Sequence, residues 1–208
     1  MVQTIPAKDI TLRDLVTIFG LNLVEDDQFF REWQDNLPEL TDWEKELLDR
    51  VKAGYLNLVY YPPLLENSIK MAILSPILFL AGFYLPPFHI KSEKSVRILD
   101  EDEGRIIEGR IDSFVLKEQL WVTVIESKRA SFSIEEGLPQ ILAYMLANPH
   151  PEKPGFGMIT SGGSFIFVKL VKGETPQYAT SNLFELRNRG NDLYTVLRVL
   201  KQLGRLSS

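Results

Sequence analysis

The sequence contains no cysteine. Disulfides, thiolate metal centres and cysteine nucleophiles are thereby excluded. Histidine is scarce: His89 and His150 are the two in the chain, each among prolines, with no partner at helical spacing. A histidine zinc site or a Ser-His-Asp triad is not expected. A basic excess is also missing. The formal net charge is −5 with histidine neutral, which argues against a protein that coats nucleic acid. It leaves room for a nuclease, whose own site is acidic. No basic segment followed by an apolar run opens the chain, so no signal peptide is expected. The longest uncharged run, Met71 to Phe88, is broken by Ser75, Pro76, Gly82 and Pro86-Pro87. It reads as a buried helix with its exit loop, not as a membrane span. A cytoplasmic protein with no membrane partner is the expectation. No glycine-rich loop ends in Gly-Lys-Ser/Thr, so no ATPase is expected. Ser161-Gly162-Gly163-Ser164 joins two strand-like runs with no helix after it, and reads as a hairpin turn.

The chain is long enough, at 208 residues, for one α/β domain with a sizeable core. Residues 1–60 read as a helical extension. Thr11 caps a helix carrying Leu12, Leu15, Val16 and Phe19, which Gly20 ends. Asp27 to Asn36 form a short helix with Phe29, Phe30 and Trp33. Thr41-Asp42-Trp43-Glu44 is a capping box, followed by Leu47, Leu48 and Val51, with Gly54 as the stop. After the break at Tyr60-Tyr61-Pro62-Pro63 comes the most apolar helix of the chain, which Pro76 kinks or shortens. Ser95 to Leu99 is a strand, and Asp100 to Gly104 an acidic turn. Arg105 to Leu116 and Leu120 to Arg129 form a hairpin. Ser133-Ile134-Glu135-Glu136 is a second capping box for a helix through Ala147, whose regular part begins after Gly137 because of Pro139. Phe156 to Thr160 and Phe165 to Val171 are strands, and Asn191 caps a last amphipathic helix. This order gives a mixed central sheet flanked by helices over residues 61–208.

Three residues of the hairpin stand out. Trp121 to Ile125 are aromatic or β-branched and read as a buried strand, yet the strand ends on Glu126-Ser127-Lys128. An acid and a lysine two apart on a strand share a face, and core packing asks for neither. Asp112 lies on the neighbouring strand. Carboxylates on adjacent strands can share a hard cation such as Mg²⁺, with Mn²⁺ as a substitute. Such an ion polarises a phosphodiester and acidifies water. A lysine beside them can orient the water or stabilise transition-state charge. The plain alternative is a cross-strand salt bridge on a solvated face. Glu66, at the start of the apolar helix, fits either a favourable charge at a helix N-terminus or a further metal carboxylate. Gln140 and Tyr144, at i and i+4, share one helix face. They read either as a polar edge beside the core or as site residues. Lys169, Lys172, Arg187, Arg189 and Arg198 read as solvated surface.

On Asp112, the Glu126-x-Lys128 pair, Gln140-x-x-x-Tyr144 and Glu66, residues 64–171 resemble the PD-(D/E)XK, or restriction-endonuclease-like, nuclease superfamily. The branch they are most similar to is the nuclease domain at the N-terminus of type I restriction-enzyme motor subunits. Ile111 stands where the family name has proline. The resemblance implies an αβββαβ core and a Mg²⁺-dependent deoxyribonuclease. It implies metal on Asp112 and Glu126 with Glu66 in support, and Lys128 as the catalytic lysine. Gln140 would support Lys128 or hold a DNA phosphate, and Tyr144 would contact the DNA backbone. Restriction-modification subunits are the implied protein partners. Two other classes stay open: a nuclease-fold protein that binds nucleic acid or a partner without cutting, and a structural module.

Two expectations concern geometry. If Asp112 and Glu126 share a metal, they lie on one face of the hairpin. Direct pairing of the two puts Lys117 opposite Trp121 across a three-residue loop. A two-residue loop pairs Asp112 with Ile125 instead, unless a bulge restores the phase. The second concerns Phe29, Phe30, Trp33 and Trp43, which carry more aromatic surface than short helices can bury. They are expected to pack on the core or on a second copy, and a homodimer is the expected assembly.

Overall fold

The computed structural model describes residues 4–6, 9–62, 65–88, 94–100, 105–111, 113–117, 120–124, 137–147 and 153–206; over 4–6, at Glu66 and over 94–124 it describes the backbone. Local chemistry sets the first helices. In α1, Leu12–Phe19, the Thr11 hydroxyl accepts from Asp14 N at 3.2 Å while Thr11 N donates to the Asp14 carboxylate at 2.9 Å. Gly20 closes the helix in the left-handed region, at φ 63°. The same reciprocal box, Thr41 with Glu44, opens α2, Asp42–Tyr60. Gly54 does not stop α2. A mid-helix glycine costs about 1 kcal/mol relative to alanine, and buried Tyr55 directly after it anchors the helix onward.

The stretch 27–36 forms turns, not the expected helix. Phe29 N bonds to the Asp26 carbonyl, and Gln34 N to that of Arg31. The carbonyl that would continue a helix from Phe29 accepts instead from Lys169 Nζ, at 2.7 Å. Lys169 also pairs with Glu32 at 2.5 Å and lies 5.2 Å from the Phe29 ring centroid. Tertiary partners have won over helical propensity. Phe30 stacks on Phe156, with ring centroids 6.2 Å apart, and Trp33 meets Phe184 edge-on. Three of the four aromatics thus pack inward on the chain's own core, and Trp43 is 59% exposed.

The apolar helix is composite. α3, Glu66–Ile69, runs into a π-helical turn, Lys70–Leu74, and then α4, Ser75–Leu80. Ser75 N reaches back five residues to the Lys70 carbonyl. The wide turn sits directly before Pro76, which has no N–H to continue the regular ladder. Among the described residues no helix is long and apolar enough to cross a membrane.

The protein is α/β, with a mixed sheet flanked by helices. Two short strands lie in the region read as helical: β1, Thr4–Pro6, and β2, Asn22–Leu23. The others are β3 Lys94–Asp100, β4 Arg105–Ile111, β5 Ser113–Lys117, β6 Leu120–Val124, β7 Gly155–Thr160, β8 Ser164–Val171, β9 Gln177–Thr180 and β10 Phe184–Glu185. Among the described residues, β5 to β9 form the main sheet, with β2 beside β9 and β10 beside the start of β8. A second sheet has the order β1-β4-β3. The β6–β7 and β2–β9 pairs are parallel; β5–β6, β7–β8 and β8–β9 are antiparallel. Helix α5, Leu138–Leu146, makes the crossover between β6 and β7. It starts after Gly137 with Pro139 in its first turn, as the sequence predicts; the capping box at 133–136 and the acidic turn at 101–104 lie outside the described residues. The strands β7 and β8 are joined at 161–163 as a hairpin, and Asn191 accepts from Leu193 N before α6, Leu193–Leu206.

Strand β7 is buried on both sides. One face of the sheet carries Phe156, Met158, Phe165 and Phe167 against α2, the α3–α4 stretch and α6. The other carries Ile159, Val168 and Leu170 against α1 and α5. Gly157 lets α5 lie close, since a Cβ there would come within 2.6 Å of Ile141. Phe30, Leu48, Val51 and Tyr55 share the first core with the sheet and α6.

One buried ion pair ties α2 to α6: Glu44, 8% exposed, accepts from Lys201 Nζ. Burial pushes the Glu44 carboxyl up, but the Lys201 and Thr41 hydrogen bonds and the Lys201 charge outweigh it. The net shift is downward from 4.5. A depressed folded pKa gives stability that is present above the ordinary value and lost below it. Melting temperature is therefore expected to fall as pH drops below 4.5. Glu44→Gln should flatten that fall and lower stability near neutral pH by roughly 1–3 kcal/mol. Melts between neutral and acid pH on both proteins check it; parallel curves would remove the assignment.

Candidate functional site

The hairpin that carries the sequence-predicted site has a two-residue connection, Lys117 being paired with Leu120. Of the two connections weighed in the sequence it is the shorter, and Lys117 faces Leu120, not Trp121. A bulge between Val115 and Lys117 then shifts the register, so that Val115 faces Trp121, Phe114 faces Val122 and Ser113 faces Thr123. The extra residue restores the phase that a two-residue connection alone would lose. Even-numbered residues of β5 thus share a face with even-numbered residues of β6.

That face can be identified through β7. Leu120, Val122 and Val124 pair with Phe156, Met158 and Thr160. Phe156 and Met158 belong to the core beneath the α3–α4 stretch. Trp121 pairs with Gly157, on the α5 side. Ile69, one turn after Glu66, belongs to the first core and packs on Gly162, where a Cβ would stand 2.7 Å from it. Gly162 lies two residues past Thr160, the partner of Val124. The start of α3 therefore sits over the sheet end where β6 and β7 finish, on the even-numbered face of β6. Carboxyl ends of parallel strands are where open α/β sheets bind ligands.

Asp112, Glu126 and Lys128 lie outside the described residues. Asp112 falls between Ile111, the last residue of β4, and Ser113, the first of β5; Glu126 follows Val124 by two positions. Glu66 opens α3. His89 and His150 also lie outside the described residues.

Gln140 and Tyr144 are described in full and do meet. Gln140 Nε2 donates to the Tyr144 hydroxyl at 2.8 Å. Tyr144 is 1% exposed in the second core, and Gln140 is half-buried in the first turns of α5. The pair stands on α5, on the face of the sheet opposite α3. Spacing alone showed that the two residues share a helix face; it did not show that the tyrosine is core and the glutamine the more accessible of the two.

Of the basic side chains set aside in the sequence, Arg187 and Arg189 are exposed, as expected of surface, while Lys169 and Arg198 have structural work. Lys169 holds Glu32 and Phe29, and Arg198 donates to the carbonyls of Leu37 and Pro38 and to Glu39. A cleft of about 260 Å³ lies by β2 and β9, lined by Glu25, Asp26, Asp27, Phe30 and Trp33 among others. Sequence reading missed it because its wall is built from β9. Among the described residues no three His, Asp or Glu side chains converge to hold a metal ion. No protein-family model matches the chain, and no curated protein matches it significantly.

Proposed function

We propose that the chain is a Mg²⁺-dependent nuclease that hydrolyses DNA phosphodiester bonds on a restriction-endonuclease-like αβββαβ core. The observation that carries the proposal is the phase of the β5–β6 hairpin. Strands that keep the alternation of Phe114–Val122 through their next residues bring Asp112 and Glu126 to one face. That is the face over which α3 begins with Glu66. The element order supports the same core: the α3–α4 stretch, β3, the β4–β5 run, β6, α5, and β7 parallel to β6.

In this reading Asp112 and Glu126 hold the ion, with Glu66 in support. The donor set is all carboxylate oxygen, which suits a hard cation. When bound, Mg²⁺ supplies Lewis acidity toward a phosphate oxygen and toward water. Lys128 shares the Glu126 face and offers a fixed positive charge to the attacking water and to the oxyanion of the transition state. Gln140, whose amide nitrogen donates to the Tyr144 hydroxyl, stands on the α5 side of the sheet and is assigned no contact with Lys128. Tyr144 then acts through Gln140, as a buried support for its orientation.

One observation favours a second reading, a nuclease-fold protein that binds a partner without cutting. Lys52, Lys169, Arg198 and Lys201 are all engaged within the chain, in a protein of net charge −5. Incubation with supercoiled plasmid and with single-stranded circular DNA separates the two. Cleavage with Mg²⁺ or Mn²⁺, and none with EDTA, is the expected result. Intact DNA with both metals would transfer the assignment to the second reading.

A further inference from the structure

Helices α2 and α4, with the π-helical turn before α4, leave an apolar face uncovered. On it Trp43, Met71, Phe79 and Tyr84 are 59%, 76%, 63% and 47% exposed. A hollow of about 390 Å³ lies between the two helices, with Leu47 on one wall and Phe79 on the other. A second hollow, of about 320 Å³, is lined by Met71, Phe79 and Tyr84. Phe79 lines both, so its ring forms a ridge between them. That ring lies 6.4 Å from the ring of Tyr84. Trp43 lies one helical turn before Leu47, on the same side of α2.

We infer that a second copy of this chain docks on this face about a two-fold axis, with Phe79 of each copy seated in a hollow of the other. The area is sufficient. An aromatic side chain offers about 150–250 Å², so Trp43, Phe79 and Tyr84 at these exposures leave roughly 250–420 Å² open, and Met71 adds to it. One side of a standard interface is about 800 Å², of which about 56–65% is apolar, or roughly 450–520 Å². The patch thus supplies the apolar share that one partner in a stable dimer needs. The charge fits a second copy too. Among the residues lining the hollows Arg50 alone is charged, and Glu46 pairs with it at 2.7 Å. A two-fold contact sets a surface against itself, which a face of one charge sign resists and a neutral face allows. A polyanion or an anionic lipid surface would need cations there. A ridge beside a hollow is also self-complementary, since one rotation fills both hollows at once. The dimer contact expected of the N-terminal aromatics is thereby moved. Phe29, Phe30 and Trp33 pack within the chain, and of the four only Trp43 joins the shared face.

Sedimentation velocity of the full chain over a micromolar concentration series is the test, and a monomer–dimer equilibrium is the expected result. A buried hot-spot aromatic is worth about 30-fold or more, and the two-fold axis counts it twice, so Phe79→Asp should weaken the dimer by roughly 1000-fold. Met71→Asp, on the same face, should weaken it as well. Val16→Asp should not, since Val16 is 50% exposed on α1, across the sheet. The chain has no cysteine, so Met71→Cys places one thiol per copy on the face. A bismaleimide is expected to join two copies of this variant, and not two copies of Val16→Cys. Melts accompany each variant; if Phe79→Asp does not fold, Met71→Asp and the cross-link decide. A wild type that stays monomeric throughout the series would overturn the proposal. One that also floats with phosphatidylcholine vesicles would assign the face to lipid instead. A dimer left intact by both aspartate variants would place the contact elsewhere and overturn it too. So would a dimer that cross-links through Val16→Cys and not through Met71→Cys.

Discussion

Lys128→Ala is expected to lower DNA cleavage by about 100- to 1000-fold, the usual effect of losing one electrostatic contact to a transition state. In the proposed site Lys128 holds no metal. The rise in melting temperature that Mg²⁺ produces in the wild type should therefore survive in the variant. Asp112→Ala should lose that rise and the activity together, because a metal ligand has gone. Neither change should unfold the chain. Two carboxylates held close repel each other, so removal of one tends to stabilise the metal-free protein slightly. A cross-strand salt bridge predicts the reverse: Lys128→Ala would strand a partly buried acid and lower stability. Melts of both variants with and without Mg²⁺ separate the two accounts. A markedly destabilised Lys128→Ala, with no Mg²⁺ or Mn²⁺ shift in the wild type, would end the nuclease proposal.

The largest stability effect is expected at Phe156. This side chain is 2% exposed and stacks on Phe30. Phe156→Ala should cost about 3–5 kcal/mol, the sum of lost transfer energy and the cavity left behind. In a chain of 208 residues this corresponds to a fall in melting temperature on the order of 10 °C. Phe30→Ala removes the other half of the contact. The double variant should be less destabilised than the two singles added together, by roughly 0.5–1.5 kcal/mol. Thermal melts of the three proteins give the coupling. A Phe30→Ala protein as stable as the wild type would mean that the turns at 27–36 are not anchored by this stack.

These two residues also mark where sequence reading succeeds and where it stops. Signals confined to a few neighbours were legible. The boxes of Thr11 with Asp14 and Thr41 with Glu44, the left-handed Gly20, the delayed start of α5 and the turn at 161–164 are all local hydrogen bonding or local backbone freedom. Elements decided by distant partners were not. The helix expected around Phe30 gives way because Lys169, far along the chain, takes the Phe29 carbonyl. Gly54 fails as a stop because Tyr55 is held in the core. Strands β1, β2 and β9 are too short to show a period, and exist through the strands they join. At the site, the shared face of Asp112 and Glu126 was a question of counting. The count turns on the bulge at Val115–Lys117, which no residue type announces. The i, i+4 spacing of Gln140 and Tyr144 was legible. The burial of Tyr144, fixed by α1 and the sheet, was not.

Both short strands of the first 23 residues lie at sheet borders, β1 beside β4 and β2 beside β9. Their partners are Ile106 to Glu108 and Gln177 to Tyr178. In synthesis the segment that closes both borders therefore leaves the ribosome before either of its partner strands. Until it joins them, β4 and β9 each present an open row of N–H and C=O groups, the usual template for pairing with another molecule. The segment thus serves as a guard against self-association that acts only once β4 and β9 have been made. A truncation that spared every proposed site residue but removed these two strands would leave the chemistry intact and the solubility poor.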